Sequence, residues 1–229
     1  MKIICFSVPA MVLLLGGTGV ASTIVQTQSA TLLNVGAQFG VPIAVNPFNT
    51  ALGTLNSITV DFGASFAGTV GVENVSGVPD MAAGIIGGSV TIANNGGSLF
   101  AQVFPSAFGA VHSLTAFDGT LDYGGTSGAT DSVSGATATT SVTTTTAPAL
   151  QAFTGTNEVF LTLTAKTFPI VQGMETESVT ETANASATVK LTYDYTPAAA
   201  APEPATVLLL SAGMAGLSWV CRRGRDRRW

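Results

Sequence analysis

Apolar and polar residues alternate with a period of two through much of this chain, the spacing that gives a β-strand one dry and one wet face. From Thr54 the pattern sets Ile58, Val60 and Phe62 on one side and Ser57, Thr59 and Asp61 on the other. Gly63 to Ser65 is expected to turn the chain, after which Phe66, Val70 and Val72 oppose Thr69 and Glu73. Ser89 to Ala93 and Leu99 to Phe104 flank Asn94-Asn95-Gly96-Gly97, whose tolerance of positive φ predicts a hairpin. Val111 to Phe117 and Leu121 to Tyr123, around Asp118-Gly119, predict a second one.

Later in the chain, Val159, Leu161, Leu163 and Ala165 alternate with Thr162, Thr164 and Lys166. The clearest signal runs from Thr176 to Thr196, where every even position is polar and the odd positions from Ala183 to Tyr195 are apolar or aromatic. That stretch is longer than a usual strand, so a bend or two successive strands is expected. Thr137 to Pro148 reads as an exposed loop or an edge strand, and helix signals are nearly absent. Many strands with one apolar face each imply an all-β fold, an antiparallel β-sandwich or jelly roll.

The two ends of the chain follow different patterns. Met1-Lys2, an apolar run from Ile3 to Leu15 and small residues from Gly16 to Ala21 have the order of a signal peptide, with cleavage expected between Ala21 and Ser22. At the other end, Pro202-Glu203-Pro204 precedes an apolar run from Ala205 to Val220 and an arginine cluster, Arg222, Arg223, Arg225, Arg227 and Arg228. As a helix the run covers about 24 Å of a hydrocarbon core of about 30 Å, a short span that arginines snorkelling to the headgroups would extend. The positive-inside rule places the arginines in the cytoplasm and the preceding body across the membrane. The expected organisation is therefore a signal peptide over 1–21, a β-sandwich ectodomain over 22–197, a linker over 198–201 and a sorting segment over 202–229.

This tail resembles the PEP-CTERM sorting signal of Gram-negative bacteria, with Pro202, Glu203 and Pro204 matching its motif residue by residue. The resemblance implies an exosortase, a transpeptidase-like membrane enzyme, as processing partner. It also implies an inner-membrane-anchored precursor delivered to the cell surface or an extracellular polymer matrix. The body carries a second resemblance. Asn46-Pro47-Phe48-Asn49 leading to Leu52-Gly53-Thr54-Leu55 is similar to the opening of the choice-of-anchor E domain, and Val189 to Pro197 to its closing strand. That family implies a bacterial surface domain and supplies no catalytic residues; Thr50-Ala51 stands where it usually has a proline.

Charge sharpens the picture once the ends are set aside. Residues 22–201 hold two lysines, Lys166 and Lys190, no arginine and eleven acids, so phosphate backbones would repel the body and nucleic acid is excluded as a partner. Both cysteines, Cys5 and Cys221, lie in the targeting segments, which leaves the body without disulfide or thiol chemistry.

Candidate chemistry is sparse. His112 is the only histidine, no G-x-S-x-G elbow accompanies it, and a satisfied strand histidine is expected. Asp118, Asp122 and Asp131 lie close in a Gly-rich stretch and are weak candidates for oxygen ligation of Ca²⁺, against the plainer reading of Asx turns. Glu175, Glu177 and Glu181 share the parity that faces the core downstream, which predicts a bulge or a projecting strand end, or else a cation or carbohydrate site there. Asn74-Val75-Ser76 and Asn184-Ala185-Ser186 fit the glycosylation sequon by chance.

No metal, cofactor or catalytic residue is expected. The expected function is that of an exported, non-enzymatic surface or matrix protein, processed by signal peptidase and exosortase and associated with exopolysaccharide. A carbohydrate- or Ca²⁺-binding adhesin module is the alternative, and a secreted hydrolase a more distant one.

Overall fold

The computed structural model describes residues 21–33, 35, 39–173 and 177–198. These fall almost wholly within one unit, Val20–Pro197; the other unit, Met1–Gly19 with Ala198–Trp229, lies outside them apart from Ala198. The expected signal peptide before Ala21, the Pro-Glu-Pro motif, the apolar run and the arginine cluster are therefore outside the described residues. Among the described residues no helix is long and apolar enough to cross a membrane.

Among the described residues, eleven strands form two antiparallel sheets: β1 (Ser22–Leu32), β2 (Phe39–Val45), β3 (Gly53–Asn74), β4 (Asp80–Asn94), β5 (Phe100–Val103), β6 (Ser106–Phe108), β7 (His112–Leu114), β8 (Gly128–Ser134), β9 (Ala138–Thr144), β10 (Val159–Gln172) and β11 (Glu177–Pro197). In the first sheet the order is β1-β11-β3, with β8 and β9 paired to successive halves of the far side of β3. In the second it is β2-β10-β4, with β5, β6 and β7 along the far side of β4. The sheets share one core, in which Ile58, Phe62 and Phe66 of β3 and Leu191 of β11 join Ile86 and Ile92 of β4 and Leu161 of β10. Each such side chain is worth about 1.5–3 kcal/mol relative to exposure.

The all-β antiparallel fold agrees with the alternation, and so do the hairpin between β4 and β5 and the edge strand β9. Four local expectations need correction. No turn occurs at Gly63 to Ser65; β3 continues for 22 residues. Ala64 is buried and keeps the parity, while methyl groups of Thr137 and Thr139 lie 3.2 and 3.3 Å from where a Gly63 Cβ would stand, so the neighbouring chain covers the glycine.

The long final alternation is one strand of 21 residues. Its irregularity is a register shift at Asp194/Tyr195, where Asn56 of β3 is the extra residue. The β3 sequence contains the trace of this bulge, because the inward residues Leu55 and Ile58 are three apart. The expected second hairpin is absent: His112–Leu114 pairs with β4, and 115–127 is a loop. Finally, no bulge relieves the glutamates at the start of β11, where the register with β3 runs unbroken from Glu177 to Thr182. Glu181 is only half-buried near this strand end, and Glu175 lies outside the described residues. Strands β1 and β2 and the short helix α1 (Ala147–Ala152), with Pro148 in its first turn, add to the elements that the alternation predicts.

Candidate functional site

The domain begins and finishes at the same end. Ser22, the first residue of β1, stands opposite Tyr195, and Pro197, the last residue of β11, pairs with Gly53. Aromatic packing fixes this exit end: Phe48 lies edge-on to Tyr193 at 6.0 Å and tilted against Tyr195 at 5.2 Å, with Phe153 against Tyr193 at 6.4 Å. The Tyr193 hydroxyl donates to Asn46 O at 2.8 Å, and burial pushes its phenol well above the usual range. Asn49 caps a short 3-10 turn over Thr50–Leu52 by accepting from Ala51 N at 3.0 Å, and Asn56, freed from the ladder by the bulge, donates to Thr196 Oγ1 at 2.9 Å. The opening and closing segments that sequence reading linked only by resemblance are thus in contact.

At the opposite end, the 115–127 loop folds over the outer face of β3. Glu73, predicted to face water, is fully buried; its carboxyl group accepts from Ser127 Oγ at 2.6 Å and from Tyr123 N at 2.7 Å. Tyr123 takes a positive φ of 56°, uncommon for a bulky residue, and shares a hydrogen bond of 3.0 Å with Ser178. Its side chain lies over Gly71, where an added Cβ would come within 2.9 Å of Tyr123 Cβ. Period-two parity contains no sign of this lid; the glycines beside Tyr123 and opposite it are the only hint.

The candidate Ca²⁺ ligands do not assemble. Asp118 Oδ1 accepts from Thr120 N and Asp122 Oδ1 from Gly124 N, each at 2.9 Å, which are Asx turns within the loop. Asp131, on β8, lies 3.0 Å from His112 Nε2 and accepts from Ala110 N at 2.9 Å, tying the approach to β7 onto β8. Among the described residues no group of three or more His, Cys, Asp or Glu side chains is placed to hold a metal. Burial raises the Glu181 carboxyl above its ordinary range, partly opposed by a hydrogen bond with Thr167. Asp61 is held below that range by hydrogen bonds from Ser141 and Lys190.

A hollow of about 340 Å³ at the exit end is lined by Asn94, Asn95, Thr154, Thr156, Asn157 and Glu158, and another of about 360 Å³ by Phe104, Phe108, Ser134 and Thr137. Neither pairs a nucleophile with a base. Asn74 is unfit as a glycan acceptor in the fold, since its amide already donates to Val78 O and Thr115 O, both at 2.8 Å.

The segment that follows the exit end decides what can be said of function, because its pattern matches a sorting model over residues 200–223. The chain carries a PEP-CTERM protein-sorting motif. A PEP-CTERM chain is a sorting substrate: an exported protein made as a membrane-anchored precursor and processed by an exosortase. No curated protein matches the chain. Among solved structures, it is similar at 12% identity and a TM-score of 0.20 to a chain of the infectious bursal disease virus Gx strain, covering 76% of this chain and 38% of that one. For the Gt strain the identity is 9% and the TM-score 0.16, over the same shares. This PEP-CTERM chain thus spans less than two fifths of each of these two solved chains.

Proposed function

We propose that this chain is the precursor of a non-enzymatic protein of the cell surface or extracellular matrix, in which the β-domain is the exported cargo and the tail its address. Signal peptidase cuts between Ala21 and Ser22. The run from Ala205 to Val220 holds the precursor in the inner membrane, with Arg222, Arg223, Arg225, Arg227 and Arg228 on the cytoplasmic side. Exosortase then acts at Pro202-Glu203-Pro204, and the released domain joins the polymer around the cell, with exopolysaccharide as its neighbour.

The observation that carries this reading is the motif match at 200–223, which begins just beyond the last paired residue of the domain, Pro197. The domain's polar side chains support it: Glu73, Asp118, Asp122 and Asp131 are engaged in holding loops. Intact-mass analysis of protein recovered from the host's surface and medium tests the reading. A chain beginning at Ser22 and ending near Pro204 is expected. A chain still ending at Trp229 and retained in the inner membrane would overturn it.

A further inference from the structure

The outer faces of the two sheets differ in chemistry. On the first, the outward positions of β11 from Ser178 to Asp194 are polar without exception. On the second, Phe100, Phe104, Phe108, Phe160 and Phe168 stand outward on or beside β5, β6 and β10, each between 45% and 71% exposed. The register groups these rings with aliphatic neighbours. Ile170 of β10, Ile85 of β4 and Phe108 of β6 lie side by side across three strands, and Phe168, Gly87 and Ser106 form the next row. Ile85 is buried although it is its neighbour Ile86 that points into the core, so side chains of the outer face cover it. A Cβ added at Gly87 would lie 2.7 Å from Ile170 Cδ1 and 3.5 Å from Phe168 Cε2, which places both side chains over the glycine.

The size of this surface fits a protein partner. At about 200 Å² for a whole phenylalanine side chain, the five rings present about 550 Å² at the exposures given, before Met81 and Ile170 add theirs. A homodimer interface buries about 800 Å² of each partner, about 65% of it apolar, or about 520 Å².

Charge selects which protein. Among the described residues, the outward positions of β2, β4, β5, β6 and β10 hold no carboxylate and one cation, Lys166, while Asp80 and Glu158 flank the face at opposite ends. Residues 22–201 hold eleven acids and two lysines, so two copies repel through most of their surface. Meeting through the first sheet would oppose Asp61 and Asp194 of each copy. Of the two sheet faces, only the second lets two copies meet without opposing carboxylates.

We infer that the outer face of the second sheet is a twofold interface with a second copy of this chain, packed sheet on sheet. The rings supply the apolar area, and the hydroxyls of Ser89, Thr91, Thr162 and Thr164 between them supply acceptors for the lysine of the facing copy. The interface does not depend on the sorting reading, since it forms whether or not the tail is processed.

The test uses the protein as its host makes it, in sedimentation equilibrium and in amine acetylation read by mass spectrometry at increasing protein concentration. A particle of twice the chain mass is expected. Acetylation of Lys166 should slow by about tenfold on association, because the interface excludes water, while Lys190 on the first sheet keeps its rate. Phe108→Glu with Phe168→Glu sets four carboxylates between the paired faces and should weaken association about a hundredfold. Thr182→Glu with Ser186→Glu adds the same charge to the first sheet and should leave association unchanged; all four positions are exposed. If the phenylalanine variant fails to fold, the lysine rates of the parent decide alone. Monomer mass at about 100 μM, a dimer whose Lys166 reacts as fast as in the monomer, or equal weakening by both double variants would each overturn the inference. Protection of Lys166 at monomer mass would overturn it as well, and would assign the face to another occupant carried from the host.

Discussion

From Gly53 to Phe66, β3 lies between a dry core and a wet sheet surface, whereas from Val70 to Asn74 both of its faces are covered. In the first stretch Ile58, Val60, Phe62, Ala64 and Phe66 are buried and the residues between them are half-exposed, with Asp61 reaching Lys190 and Ser141 across neighbouring strands. In the second, Gly71 and Glu73 belong to the wet parity yet lie beneath Tyr123 and Ser127. One strand thus obeys two rules. Its first half is held by apolar burial against the other sheet, and its second half also by a polar lid.

The largest expected effect tests the dry half. Phe62→Ala should cost about 3–5 kcal/mol in denaturant unfolding of the processed domain, because a large buried ring is lost and the surrounding sheets close the cavity only partly. A loss below about 1 kcal/mol would mean that the two sheets do not share a packed core. The lid is tested next by Glu73→Ala, which strips Ser127 Oγ and Tyr123 N of their acceptor and is expected to cost about 2–3 kcal/mol. Glu73→Gln, which keeps an acceptor oxygen, should cost less. Hydrogen exchange should separate the two halves: in Glu73→Ala, amides of 115–127 lose protection while those of Ile58 to Phe66 keep theirs. Equal loss in both would show that the lid and the core unfold as one unit.

The difference also explains what could be read from the chain. Strands with one wet and one dry face, such as β10 and most of β11, are legible because hydrophobic patterning reports which side meets water. The burial of Glu73 is not legible there, because a carboxyl group satisfied by hydrogen bonds from a loop some 50 residues away leaves no trace in local periodicity. The turn expected at Gly63 to Ser65 fails for a related reason: composition suggests a break, but pairing with β11 on one side and β9 on the other holds the backbone extended. β1 is hidden in the pattern although Ile24, Ala30 and Leu32 share its inward parity, since Gln26 and Gln28 interrupt the apolar series. Gln26 is used at the edge: its amide bonds Asn46 N and Asn46 O, both at 2.9 Å, bridging the two sheets. The candidate site was legible only where it is a linear motif; the folded exit end depends on contacts between Phe48, Phe153 and Tyr193 that no local pattern contains.

A matched pair of glycine substitutions sharpens the contrast within β3. At Gly71 an added methyl group meets Thr180 Cγ2 and Tyr123 Cβ, each 2.9 Å from the ideal Cβ position, so Gly71→Ala should displace the lid and cost about 1–2 kcal/mol. At Gly63 the contacts are threonine methyl groups at 3.2 and 3.3 Å on an edge strand that can give way, and loss of glycine's flexibility in the unfolded chain offsets the crowding. Gly63→Ala is expected within about 0.5 kcal/mol of the parent. Equal effects at the two positions would contradict the difference between a covered and an open strand face.

The smallest expected effect concerns the half-buried Glu181, opposite Val70 where the two regimes of β3 meet. Burial raises its carboxyl pKa above 4.5, so the folded protein favours the protonated form. The stability associated with that proton is fully present below pH 4.5, where the side chain is protonated in both folded and unfolded chains. It is lost as pH rises through the folded value, where the folded chain must give the proton up in a partly desolvated site. Glu181→Gln carries no proton to lose. Its advantage over the parent in thermal midpoint should therefore be small in acid, grow as pH rises above 4.5 and level off at neutral pH. A difference independent of pH would assign any stabilisation to packing instead, and a parent that gains on the variant as pH rises would mean that the folded site favours the charged form.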